Sequence, residues 1–181
     1  MNGRPQLRQF RESDLDALAA MVGDAQQMTF YPRAKTRLEA LTWLRRNRSL
    51  YQEHGFGFWL IELLPRRSFA AYCGIRPLEL DGVSEIEMGW HVHKRFWRQG
   101  VATQVATSVV DAAVGRFAIS RLVALVHPEH VASRRVAESI GMRQERTTLL
   151  EGDYPALVYA MEAADQPAPT APPRARKVIR P

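Results

Sequence analysis

Five consecutive apolar residues, Leu122 to Val126, stand between two stretches of helical periodicity. A short apolar run with valines at this density reads as a strand buried on both faces, so a layer must cover each side of its sheet. Upstream, Val101, Val105, Val109 and Ala112 mark one side of a helix over 101–117, and Ser84 to Val92 reads as a strand before it. Strand, helix and buried strand in succession predict one β-α-β crossover between the strands at Glu85 and Leu122. The remaining patterns build outwards from that unit. Ser13 is placed to cap a helix, with Asp16 at the capping-box position and Leu15, Leu18, Ala19 and Val22 as its apolar side. A second helix carries Leu38, Leu41 and Leu44, and Phe58 to Leu63 is a strand. Phe69 to Ile75 pairs with Ser84 to Val92 through a turn at Asp81-Gly82. Val131 to Ile140 is a short helix closed by Gly141, and Thr147 to Leu150 with Ala156 to Met161 forms a last hairpin. With an opening strand at Leu7-Arg8 the order is β-α-α-β-β-β-α-β-α-β-β. The fold class is mixed α/β (α+β): a mostly antiparallel central sheet flanked by helices.

At 181 residues the chain suits one such domain. Proline-rich, aromatic-free composition sets in after Glu162, so residues 1–162 are expected to be the domain and 163–181 a disordered tail. That tail holds Arg174, Arg176, Lys177 and Arg180 against Asp165, which is +3 of the chain's net +6. A body of +3 suits an anionic ligand and does not point to nucleic acid. No apolar run approaches the roughly 18 residues of a membrane span, and Met1 to Phe10 has no signal-like apolar core. Cys73 is the single cysteine, which excludes an intramolecular disulfide. A cytoplasmic location is the expectation, no membrane partner is indicated, and a homodimer stays open.

Phe96-Trp97-Arg98-Gln99-Gly100-Val101-Ala102-Thr103 links the Ser84–Val92 strand to the helix at Val101. A helix N-terminus presents unpaired N–H donors at the positive end of its dipole. Gly100 lets a ligand approach the backbone, Thr103 adds a hydroxyl, and Arg95 and Arg98 add positive charge. The segment suits a diphosphate. It is neither a Walker loop, since no Gly-Lys-Ser/Thr follows, nor a three-glycine dinucleotide fingerprint. Taken alone, a glycine at such a junction is as well explained by tight packing.

Three stretches in order settle the context: Glu87-Met88-Gly89-Trp90, Phe96 to Ala102, and His127-Pro128-Glu129-His130-Val131-Ala132-Ser133 running on to Glu138 and Gly141-Met142. Together they resemble the GNAT superfamily of N-acetyltransferases, in particular its RimJ/RimL-like branch, over roughly residues 6–162. The resemblance implies acetyl-coenzyme A as cofactor and a primary amine as acceptor, on a small molecule or a protein N-terminus. It places the cofactor against Trp90, His91, Val92, Arg95, Arg98, Gln99, Gly100, Val101, Ala102, Thr103, His130 and Ser133. It also implies that the backbone of Trp90–Val92 receives the pantetheine arm like an added strand. Arg98 stands where the pattern has its first loop glycine, and His130 where it has asparagine. Ala137 occupies a position at which many relatives carry a tyrosine acid. These departures keep open a second reading, a catalytically impaired acyl-CoA-binding or partner-binding module.

Amide formation from a thioester requires a neutral amine and is helped by an acid for the departing thiolate. Glu85, Glu87 and His91 share one face if their strand is regular, and a bulge, which the resemblance implies, would break that parity. Glu87 is the candidate base or amine binder, with Glu85 beside it, and Ser133 the candidate acid. Both glutamates could equally pair with arginines. Phe30 and Tyr31, between the first two helices, border the acceptor pocket by resemblance. A metal site is not indicated, and Cys73 reads as a small buried apolar residue.

Overall fold

The computed structural model describes residues 5–163, apart from 66, 151 and 152. Seven strands form one sheet in the order β1-β2-β3-β4-β5-β7-β6. They are β1 (Pro5–Arg8), β2 (Phe58–Leu63), β3 (Ser68–Leu80), β4 (Val83–Val92), β5 (Arg121–Val126), β6 (Arg143–Leu150) and β7 (Tyr154–Glu162). Helices α1 (Leu15–Val22) and α2 (Arg37–Glu53) precede β2, α3 (Val101–Phe117) joins β4 to β5, and α4 (Val131–Ser139) joins β5 to β6. Every neighbouring pair is antiparallel except β4 and β5, the parallel pair that α3 connects. The mixed class, the mostly antiparallel sheet and the β4-α3-β5 crossover are as the apolar patterning requires; α4 adds a second crossover, from β5 past β7 to the parallel β6. The proline-rich stretch from 164 onwards lies outside the described residues.

Both sheet faces are covered. Along β2, Trp59 and Ile61 enter a core shared with Val101, Val105 and Val109 of α3, while Phe58 and Leu60 enter a second core with Leu18 of α1 and Leu44 of α2. In β5, Leu122, Ala124 and Val126 face the α3 side, and Val123 packs with Leu80 and Val158 on the other. Alternate residues of one apolar run thus serve two cores, which is why the run carries no polar positions.

Two helix details differ from expectation. Asp14, not Ser13, precedes α1, because a single turn over Glu12–Asp14 comes first and the Asp14 carboxylate holds the Arg8 guanidinium and the Arg11 N–H. In α2 the buried side is Ala40, Leu44 and Asn47, while Leu38 is 72% exposed. The Thr36 cap, closed by Glu39, starts that helix at Arg37 and sets its rotation. Asn47 is buried because its side chain accepts the Phe58 N–H (2.7 Å) and donates to the Phe58 carbonyl (2.9 Å), tying α2 to β2. The β3–β4 turn has positive φ at both Asp81 (53°) and Gly82 (79°), as a two-residue hairpin demands. β3 runs on through Pro77 beyond its expected end; β2 pairs only as far as Gly74, so the missing Pro77 N–H leaves no ladder bond unmade.

The feature that positions the site is the join of β4 and β5. It registers a single pair, Glu87 opposite Val123, and beyond it the two strands are unpaired towards their C-terminal ends.

Candidate active site

Where β4 and β5 part, a cavity of about 730 Å³ opens between the loop joining α1 to α2, the end of β4 and the first turns of α3 and α4. That is a typical volume for a cofactor or small-molecule site. A second groove of about 640 Å³, between β1 and α2, contains none of the three sequence motifs. Its Arg8, Arg45 and Arg48 are paired with Asp14, Glu62 and Glu12.

The β4 edge contributes backbone. His93 donates its N–H to Ala70 (2.8 Å) in the unbroken β3–β4 register, so Val92 and, two residues back, Trp90 turn their own N–H and C=O groups away from β3 towards the cleft. The Val92 carbonyl is taken there by the indole N–H of Trp97 (2.7 Å). This bond folds the following turn back onto its strand and removes one acceptor from the edge.

In the turn, Arg98 has φ 59° and Gly100 has φ 74° before α3 begins at Val101. The first bond into the helix runs from Gln104 to Gly100 (3.1 Å), so the N–H groups of Val101, Ala102 and Thr103 precede the helical ladder. A Cβ on Gly100 would meet no atom within 4 Å. The glycine is therefore not explained by tight packing; its left-handed backbone is the reason. Arg98 adopts the same region with a side chain, the conformation for which the resembled pattern uses glycine. Arg98, Gly100, Val101, Ala102 and Thr103 all line the cavity. Arg95 and Gln99 do not: Arg95 lies over the Phe96 ring (4.6 Å), and Gln99 donates to the Arg95 carbonyl (3.0 Å).

α4 brings His130 and Ser133 to the opposite wall. The Ser133 hydroxyl oxygen accepts the indole N–H of Trp90 (3.0 Å), which leaves its proton available to another acceptor. His130 stacks on Phe30 with ring centroids 4.3 Å apart, and burial lowers its pKa. Tyr154 donates to the Phe30 carbonyl and fixes the α1–α2 loop over the cavity. Ala137, where a tyrosine acid would stand by resemblance, is fully buried.

β4 keeps its parity against β3, with no bulge in that ladder, so Glu85, Glu87 and His91 do share a face. Their surroundings differ. His91 is buried, stacks with Tyr72 (5.3 Å) and Tyr31 (5.4 Å), and has Nδ1 3.2 Å from the Tyr31 hydroxyl. Burial pushes it down to about 4, so it is neutral at pH 7. Desolvation, with the Glu87 charge nearby, raises the Tyr31 phenol. Glu87 is paired with Arg76, its cross-strand neighbour, and Glu85 with Arg121, which also holds Glu145 and Glu162. Neither carboxylate lines the cavity, whereas Phe30, Tyr31 and His91 do. Burial pushes the Cys73 thiol far up, as a small apolar residue requires. Among the described residues no group of three metal-ligating side chains occurs, and no helix is long and apolar enough to cross a membrane.

Sequence reasoning passed over two lining residues that matter. Gln27, buried, donates to the Met21 carbonyl (3.2 Å) and accepts the Lys94 N–H (2.8 Å), joining the α1–α2 loop to the chain after β4. Nothing in the loop's polar composition marks it. Arg135 lines the cavity with Ala132 and Val136, the i, i+3, i+4 face of α4. Helical spacing from Ala132 would have found it.

The chain matches the family model described as "Acetyltransferase (GNAT) domain" over residues 4–143. The uncharacterized Bacillus subtilis protein YkkB is 28% identical over 157 residues, covering 86% of this chain and 91% of that protein. An acetyltransferase from Agrobacterium tumefaciens superimposes with a TM-score of 0.77 at 21% identity, covering 90% of this chain and 92% of the other. Mycobacterium smegmatis RimJ, solved in complex with a CoA-disulfide, gives 0.76 at 20% identity over 92% of this chain and 86% of its own. With a cleft at the parting of β4 and β5, three motifs around it and a domain match spanning most of its length, the chain belongs to the GNAT acetyltransferase family.

Proposed function

We propose that this protein is an acetyl-coenzyme-A-dependent N-acetyltransferase of the RimJ/RimL-like branch, acting on a primary amine of a protein N-terminus or a small molecule. One observation carries the reading. The N-terminus of α3, the outward backbone of Trp90 and the Ser133 hydroxyl all open on the same cavity. That donor set fits coenzyme A. The N–H groups of Val101–Thr103 suit a diphosphate, with Arg98 and Arg135 as mobile counter-charge. Trp90 N–H and C=O and Val92 N–H suit the amides of a pantetheine arm, the Val92 carbonyl being engaged by Trp97.

When bound, the cofactor supplies an acetyl thioester: the amine nitrogen bonds the carbonyl carbon, the C–S bond breaks, and the net proton moves from nitrogen to sulfur. The chain's residues prepare for that exchange. Ser133, oriented by the Trp90 indole, holds its proton ready for a sulfur leaving group. Of the Trp90 and Val92 N–H groups, the one that the pantetheine arm leaves free is a donor for developing negative charge on oxygen. Tyr31 and His130 bound the space for the amine. Glu87, on the β4 face that carries His91, serves the site at one remove through its pair with Arg76.

Release of free thiol from acetyl-coenzyme A, measured across peptide, ribosomal-protein, polyamine, amino-acid and aminoglycoside acceptors, tests the reading. Amine-dependent release with at least one acceptor is expected; no release with any of them overturns it. The buried Ala137 favours the alternative of an acyl-CoA-binding module without turnover. Coenzyme A binding in calorimetry with no thiol released would establish that alternative.

A further inference from the structure

The loop between α1 and α2, which brings Phe30 and Tyr31 to the cavity, grips Lys94 twice. From outside, the Asp24 carboxylate pairs with the Lys94 ammonium, and both side chains are partly exposed. From within, Gln27, only 7% exposed, accepts the Lys94 N–H on its side-chain oxygen (2.8 Å). Its side-chain nitrogen donates to the Met21 carbonyl (3.2 Å). Met21 lies in the last turn of α1, and Lys94 opens the single turn Lys94–Phe96. Among the described residues neither group has a backbone partner, so one amide meets an orphan acceptor and an orphan donor together.

The same two segments meet again nearby. Tyr31, four residues after Gln27, stacks on His91, three residues before Lys94 (5.4 Å). Val92, between His91 and Lys94, belongs to the edge that suits a pantetheine arm. The Gln27–Lys94 bond therefore sets how far the Phe30–Tyr31 wall stands from that edge. The edge has ties of its own: His93 N–H to Ala70 (2.8 Å) and the Trp97 indole to Val92 (2.7 Å). Loss of the Gln27 bridge thus frees the wall and leaves the edge in place. A misplacement of about 1 Å between reacting groups can cost roughly a hundredfold in rate.

We propose that Gln27 is a positioning residue for acetyl transfer: its bridge from Met21 to Lys94 holds the Phe30–Tyr31 wall, and with it the acceptor amine, at attack distance from the thioester. This rests on the acetyltransferase reading above. Gln27→Met matches the side chain in length and makes neither bond. In the free variant, amide exchange at Lys94, read by NMR, should quicken at least tenfold. Its kcat/KM should fall at least tenfold for each acceptor of the panel above that the wild type turns over, with the calorimetric Kd of coenzyme A changed less than twofold. Rates are counted per coenzyme-A-binding site, so a mere loss of folded protein leaves kcat and acceptor KM where they were. Gln27→Asn, too short to reach both groups, should show the same split if Gln27→Met does not fold. Gln27→Glu keeps an oxygen for the Lys94 N–H and should lose less than threefold, as should Lys94→Met, which removes only the outer pair. Unchanged Lys94 exchange, a kcat/KM loss under tenfold in the folded Met or Asn variant, or an equal loss in Lys94→Met overturns the proposal and leaves acetyl transfer intact. So does coenzyme A binding that weakens in step with kcat/KM. Absence of turnover by the wild type with every acceptor overturns the acetyltransferase reading and this proposal with it.

Discussion

Ser133 and His91 reach the cavity from opposite sides, Ser133 held by the Trp90 indole and His91 by the rings of Tyr31 and Tyr72. Because the Trp90 indole donates to Ser133, the hydroxyl proton is free to point at another acceptor. Ser133→Ala should reduce kcat by about tenfold, the modest end of general-acid effects because a thiolate leaves readily, with coenzyme A affinity changed less than about twofold. Steady-state kinetics beside calorimetry separate the two. His91 makes a prediction about stability. Its folded pKa of about 4 lies below the 6.5 of a free histidine, so the unfolded chain binds the extra proton. The His91 contribution is whole above about pH 6.5 and is lost as pH falls towards 4. Between pH 7 and 5 that loss is about 2 kcal/mol. Burial lowers His93 and His130 too, and they add to it with the same sign. Urea denaturation at the two pH values should show the drop, and His91→Gln should flatten it. An unchanged slope in that variant would mean that the ring is accessible to protons in the folded protein.

At the scale of elements, the turn before α3 contains two left-handed residues, of which only one is glycine. An L side chain costs roughly 1–2 kcal/mol in that region. Arg98→Gly should therefore raise the melting temperature by a few degrees while weakening coenzyme A and flattening the salt dependence of its binding. Gly100→Ala should act oppositely on stability, for backbone reasons alone, since the added methyl has open space. Differential scanning calorimetry on both variants reads the pair. These elements also show what was legible in advance. α3 and β2 have the bounds expected from their patterning because apolar spacing alone specifies them. The rotation of α2 was not legible: Asn47 is buried for two hydrogen bonds to Phe58, eleven residues away, and a polar residue carries no local sign of a distant backbone partner. Glu87 is similar. Its place on one face with His91 followed from strand parity, but its engagement by Arg76 depends on the β3 register opposite.

Across the whole molecule, three motifs far apart in the chain surround one cleft because the sheet order puts β4 beside β5 and sets α3 and α4 at their diverging ends. The sequence order of those motifs was visible, and so was the strand–helix–strand unit that brings the first two together. What the patterning could not supply was the lining from the α1–α2 loop, where Gln27 and the Tyr154–Phe30 contact act over long separations. The single registered pair between β4 and β5 has a mechanical consequence. The ladder β1 to β4 and the ladder β5, β7, β6 are each continuous, and the seam between them is the thinnest line of backbone hydrogen bonding in the sheet. A ligand seated along that seam acts as a stitch. Coenzyme A at a hundred times its Kd should raise the unfolding free energy by about 2.7 kcal/mol. In hydrogen exchange the added protection should appear at Trp90–Val92 and in the first turn of α3, while β1 and β6, at the outer edges, change least. The cofactor would then be a part of the sheet's tensile strength as much as a reactant.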